Sequence, residues 1–171
     1  RNPNDLEARS NMILASSMAG IGFGNAGVHL CHGMSYPVSG MVKNFIPHGL
    51  TSDHPIIPHG LSVILNAPAV FKFTGEACPE RHLKVAKIMG AKINNIKDPK
   101  NEAGLILSNE IIKLMKDLEV PNGLSAIGFN KNDIPNLIKG TLPQHRVTKL
   151  SPRSANAEDL NKLFNDSMTL W

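Results

Sequence analysis

Cysteine is scarce in this chain: Cys31 and Cys78 are the only two, and they lie far apart. That excludes a disulfide framework, a zinc ribbon and a Cys-x-x-Cys redox pair, and it fits a reducing compartment. Aromatic residues are also few, with six Phe, one Tyr and one Trp. The 18 Lys and Arg residues are scattered from Arg1 to Lys162 rather than gathered into a stripe. Despite a net charge of +4, the chain therefore lacks both the basic track and the stacking platform of a nucleic-acid binder. No apolar run approaches the roughly 20 residues of a membrane span. Gly-x-Ser-x-Gly is missing, and Cys31 sits in an apolar stretch where packing is its expected role. Carboxylates three or four apart fall on polar, surface-like faces and read as solvated charge rather than acid–base pairs. The opening residues Arg1-Asn2-Pro3-Asn4-Asp5 show neither a charged-then-apolar leader nor an Arg/Ser-rich presequence, and they read as the start of an excised piece.

With 171 residues, 42% hydrophobic and 19% charged, one globular domain spanning 1–171 is expected. Asn/Asp capping candidates precede a first helix from about Asp5 to Gly20. A glycine-rich turn around Gly22-Phe23-Gly24-Asn25 then leads to a second helix from Ala26 to about Met41, perturbed at Pro37. The prolines and polar residues between Lys43 and Ile57 predict an exposed loop. A third helix, Pro58 to Phe73, carries a bend at Pro68. Further helices are predicted from Pro79 to Gly90, Asn101 to Leu118, Lys131 to Gly140 and Ala155 to Ser167. No segment alternates long enough to demand a strand. The expected fold is all-α, with about seven helices.

Gly22-Phe23-Gly24-Asn25-Ala26-Gly27 matches the dinucleotide fingerprint Gly-x-Gly-x-x-Gly in letters. Phosphate delivery by that motif needs a preceding strand, whereas the residues before it have helical period. The motif therefore reads as a turn that lets two helices pack closely. Histidine is the more informative residue type, because five of the seven lie between positions 29 and 59. His29 and His32 are spaced to share a helix face. His48 and His59 each stand in a Pro-His-Gly tripeptide, where an imidazole is held rigidly with one side open. Asp53 is the only acidic residue near them, so this chain does not present the three or four ligands of a complete catalytic metal site.

The run Gly20-Ile21-Gly22-Phe23-Gly24-Asn25-Ala26-Gly27-Val28-His29-Leu30-Cys31-His32-Gly33-Met34-Ser35-Tyr36-Pro37, followed later by Pro58-His59-Gly60 before an apolar helix, resembles the metal-binding region of iron-containing alcohol dehydrogenases. Asn2-Pro3-Asn4-Asp5-Leu6-Glu7 and Lys139-Gly140-Thr141-Leu142-Pro143-Gln144-His145-Arg146 extend the resemblance over essentially the whole chain. They direct it to that family's hydroxyacid-oxoacid transhydrogenase branch.

The resemblance implies the helical C-terminal domain of such an enzyme, with His32 and His59 as ligands to a divalent metal, Fe2+ or else Zn2+. His48 is the alternative second ligand, and His29 a packing residue. It implies an N-terminal α/β domain, outside this chain, that binds NAD(P) and completes the ligand set with an Asp and a His. This chain alone is then expected to be inactive. Many members carry a second His four residues after the first ligand; Tyr36 stands there and is a candidate for contact with substrate. The implied reaction couples oxidation of 4-hydroxybutyrate to succinate semialdehyde with reduction of 2-oxoglutarate to 2-hydroxyglutarate, in the mitochondrial matrix. Implied partners are the N-terminal domain and these small acids. A related metal-dependent alcohol dehydrogenase and a non-catalytic helical interaction domain are the alternatives.

Overall fold

A computed structural model describes residues 2–171. Among them are nine α-helices, three short 3-10 turns and no strand. The helices are α1 (Leu6–Ala26), α2 (Leu30–Gly40), α3 (His59–Ile64), α4 (Ala67–Thr74), α5 (Pro79–Ile88), α6 (Pro99–Asp117), α7 (Ile134–Thr141), α8 (His145–Thr148) and α9 (Ala157–Ser167). The all-α expectation holds. The count exceeds seven because one expected helix is two and because α8, a single turn, carries too little periodicity to be foreseen.

The glycine-rich turn expected around Gly22 is instead helix, and α1 continues through it. The Asp5 carboxylate accepts from the Ala8 N–H at 2.9 Å at the start of α1. The helix ends only where Gly27 takes φ +75, a conformation that favours glycine. A Cβ placed on Gly20, Gly22 or Gly24 would meet nothing within 4 Å, so these glycines do not serve close helix packing. With a helix rather than a strand before it, the motif cannot form a dinucleotide turn. α1 buries no residue, and Met12, Ile13, Met18, Ile21 and Phe23 are all exposed.

The expected Pro58–Phe73 helix breaks into α3 and α4 at Leu65 and Asn66. Pro68 has no N–H to give to the end of α3, and it settles instead in the first turn of α4, where none is needed. The Asn66 side chain repairs the junction by donating from Nδ2 to the Ser62 carbonyl at 2.8 Å.

The core is built from α2, α4, α6, α7 and α9, around the fully buried Leu30, Met34, Val70, Leu107, Leu137 and Phe164. Two close approaches set its geometry. A Cβ on Gly104 of α6 would lie 2.7 Å from the Lys72 carbonyl oxygen and 2.8 Å from that of Phe71, so α4 and α6 meet backbone to backbone. A Cβ on Gly140 of α7 would lie 2.6 Å from Pro37 Cβ. The proline that perturbs α2 is thus the surface on which α7 rests.

Gly104→Ala is expected to destabilise the chain by about 1–3 kcal/mol through backbone overpacking. Gly22→Ala, at an open helical position of α1, is expected to stabilise it by up to about 1 kcal/mol. Urea unfolding of the two variants beside the parent checks both signs.

Candidate metal centre

His32 lies in the first turn of α2 and His59 is the first residue of α3, so the two helices bring together residues far apart in sequence. Their ring centroids are 5.2 Å apart, with planes inclined by 58°. Three hydroxyls hold this arrangement. Ser35 Oγ donates to the His32 carbonyl at 2.8 Å, and Ser62 Oγ donates to the His59 carbonyl at 2.8 Å. Ser39 Oγ, on α2, donates to Ser62 Oγ, on α3, at 2.9 Å. Ser62 is fully buried, where an unpaired hydroxyl would be unfavourable, so the link specifies how α3 sits against α2.

Neither ring nitrogen of His32 or His59 has a hydrogen-bond partner among the described residues. Burial, and then the proximity of His59, push the His32 imidazole below its ordinary value, which favours the neutral form that ligates metals. A metal–nitrogen bond of about 2.0–2.1 Å puts a shared ion roughly 3 Å from each ring centre, so centroids about 5 Å apart suit two ligands of one ion. The pair therefore fits a divalent cation. It does not make a full site, because no group of three His, Cys, Asp or Glu able to hold a metal occurs among the described residues.

Tyr36, one turn beyond His32, stacks on His59 with ring planes 15° apart and centroids 6.4 Å apart. His48 is exposed on the turn Pro47–Leu50 and is not brought to the pair. His29 precedes α2, sets its ring edge-on to Phe71 at 5.9 Å and is lowered by burial and then by His82 and His32. Cys31 is buried in the core, and burial pushes its thiol up to about 12.

His32, His59 and Tyr36 share a cavity of about 470 Å³ with Arg146 of α8. Val28, Val147 and Leu150 supply apolar wall, and Phe23 reaches it from α1. α8 comes this close to α2 because position 33 is glycine: a Cβ there would lie 2.8 Å from Thr148 Cγ2. Sequence reasoning did not single out this wall or the Ser39–Ser62 link. The glycine that follows His32 was the one available sign that another element packs there.

All-α packing that sets an imidazole pair in the lining of a cavity defines a helical scaffold with a candidate metal centre. Residues 1–168 match the model of the Fe-containing alcohol dehydrogenase family, C-terminal, and the chain belongs to that family. It is similar to mitochondrial hydroxyacid-oxoacid transhydrogenase of Bos taurus, 60% identical over 171 residues, and to that of Homo sapiens, 57% identical. Each match covers 100% of this chain and 36% of the relative, so the chain spans about a third of the length of these curated relatives. Among solved structures, an alcohol dehydrogenase from Oenococcus oeni superposes with a TM-score of 0.81 at 25% identity, over 97% of this chain and 39% of that one. A 1,3-propanediol oxidoreductase gives 0.80 at 24% identity, over 96% and 39%, and supports the fold alone.

A double-mutant cycle on Ser39→Ala and Ser62→Ala is expected to give a coupling energy of about 1 kcal/mol. Ser62→Ala is the more damaging single change, at about 1–3 kcal/mol, because it also frees the His59 carbonyl and strands the Ser39 hydroxyl. Denaturant titration of the four proteins measures this.

Proposed function

We propose that this chain is the metal-binding helical part of a hydroxyacid-oxoacid transhydrogenase, with His32 and His59 as two ligands of a divalent ion, Fe2+ or else Zn2+. The observation that carries the reading is the imidazole pair, free of hydrogen-bond partners among the described residues, lining a cavity with a phenol and a guanidinium. The name of the relatives, 57–60% identical over the whole chain, supports the reaction class. The remaining ligands, an Asp and a His, and the NAD(P) site belong to an N-terminal α/β domain outside this chain. We place contact with that domain on the exposed apolar residues of α1, whose Phe23 reaches the cavity wall. The relatives' mitochondrial designation supports the same compartment for this protein, the matrix in our reading.

In this assignment 4-hydroxybutyrate is oxidised to succinate semialdehyde and 2-oxoglutarate is reduced to 2-hydroxyglutarate; NAD(P) would supply the hydride carrier and a divalent ion Lewis acidity. His32 and His59 hold the ion in the neutral imidazole form, from two helices locked together by Ser39 and Ser62. Tyr36, fixed by stacking on His59, presents its hydroxyl as a hydrogen-bond donor to the substrate. Val28, Val147 and Leu150 give one side of the cavity an apolar surface. Two ligands and no hydride carrier leave this chain, by itself, without turnover.

The test is metal content and 4-hydroxybutyrate/2-oxoglutarate turnover in the full-length protein. His32→Ala and His59→Ala are each expected to lose most bound metal and to lower turnover at least about 100-fold, while His48→Ala keeps both. Full metal occupancy in the first two variants, or loss confined to His48→Ala, refutes the ligand assignment.

A further inference from the structure

Both substrates assigned above are carboxylates, and the inference that follows rests on that reading. Four features of the cavity beside His32 and His59 single out one residue. No carboxylate lines the cavity, so Arg146 is its one fixed charge. The Arg146 guanidinium, on an exposed side chain, makes no hydrogen bond or ion pair among the described residues, so its charge is free to take an anion. The backbone that carries it is held firmly: Val147, the next residue, is 4% exposed, and α8 rests on α2 at Gly33. Val28, Val147 and Leu150 give the cavity that Arg146 shares with the imidazoles an apolar surface, which suits a short methylene chain.

The other cations of the region are placed elsewhere. Lys43 is bonded to Asp133 at 2.6 Å and lies over the Phe129 ring. Lys149 lines a different cavity, of about 250 Å³, with Leu30 and Thr141.

We propose that Arg146 is the specificity-determining residue that binds the substrate carboxylate remote from the reacting carbon. A guanidinium presents paired N–H donors that match the two carboxylate oxygens, which a point charge does not. The substrates fit a single anchor. In 4-hydroxybutyrate the carboxylate carbon is three carbon–carbon bonds from the carbinol carbon, and in 2-oxoglutarate the distal carboxylate carbon is three from the keto carbon. One cation in the same cavity as the imidazole pair therefore serves both half-reactions, and the acid of one half-reaction leaves the place that the acid of the other takes.

The experiment compares full-length wild-type enzyme with Arg146→Gln, Arg146→Lys and the control Lys149→Gln. For each, kcat/KM is measured on 4-hydroxybutyrate and on 1-butanol, a neutral alcohol with the same number of carbons, and 2-oxoglutarate binding is measured calorimetrically. In Arg146→Gln the acid-to-alcohol ratio of kcat/KM is expected to fall about 10- to 100-fold, with 2-oxoglutarate affinity weakened by a similar factor. Arg146→Lys recovers part of the loss, and Lys149→Gln leaves the ratio at the wild-type value. An Arg146→Gln enzyme with wild-type ratio and affinity overturns the inference. So does one that loses acid and alcohol turnover in equal proportion, because that marks a structural role. A metal-loaded wild type that prefers 1-butanol to 4-hydroxybutyrate overturns the hydroxy-acid reading and this inference with it. Preference for the acid in the wild type, undisturbed by Arg146→Gln, overturns only the role of Arg146.

Discussion

The hydrogen bond between Ser39 and Ser62 joins the two helices that carry His32 and His59, and the site depends on it. Its contribution to stability is modest, about that of any neutral hydrogen bond. Its importance is positional. A helix turns through a full circle every 3.6 residues, so a slip of α3 by one residue would swing His59 roughly 100° away from its partner. Such a slip would also part the buried Ser62 hydroxyl from Ser39, leaving it only its bond to the His59 carbonyl. The arrangement that brings the imidazoles together is thus also the one that satisfies the buried polar groups between the helices. Asn66 supports it from the far end of α3, by bonding the Ser62 carbonyl at the break that Pro68 imposes.

Around this lock the domain is assembled by close approaches that only glycine allows. Gly33 admits α8 to the back of α2, and with α8 comes Arg146 at the cavity. Gly104 lets α4 and α6 touch along their backbones, which anchors the segment leading out of α3. The site is therefore held from behind by rigid packing and bordered in front by α1, whose apolar side chains stay exposed in this chain.

The sequence showed some of these features more clearly than others. The 3.6-residue stripe of α6 and the capping pattern of α1 were readable because each is a local property of the chain. Gly20, Gly22 and Gly24 misled, since glycine is tolerated inside a helix that otherwise keeps its hydrogen bonds, and the composition suggests a turn that the backbone does not make. The division at Leu65 and Asn66 was misplaced onto Pro68 itself, because a proline breaks the bond to the residue four before it and can then begin the next helix. The choice of His59 over His48 came from resemblance. Both stand in Pro-His-Gly, and only the long-range packing of α3 on α2 brings one of them beside His32. Arg146 could not be distinguished from Lys43 and Lys149 by sequence, since what separates them is which cavity each side chain enters.

The most direct test of the half-site is anomalous diffraction, at the metal's absorption edge, from crystals of the full-length protein loaded with Fe2+ or Zn2+. The account predicts one strong peak bonded to an imidazole nitrogen of both His32 and His59, with α2 and α3 in the register set by Ser39 and Ser62 and the remaining ligands outside this chain. A peak at Pro47-His48-Gly49, or an ion bonded by neither His32 nor His59, would contradict it.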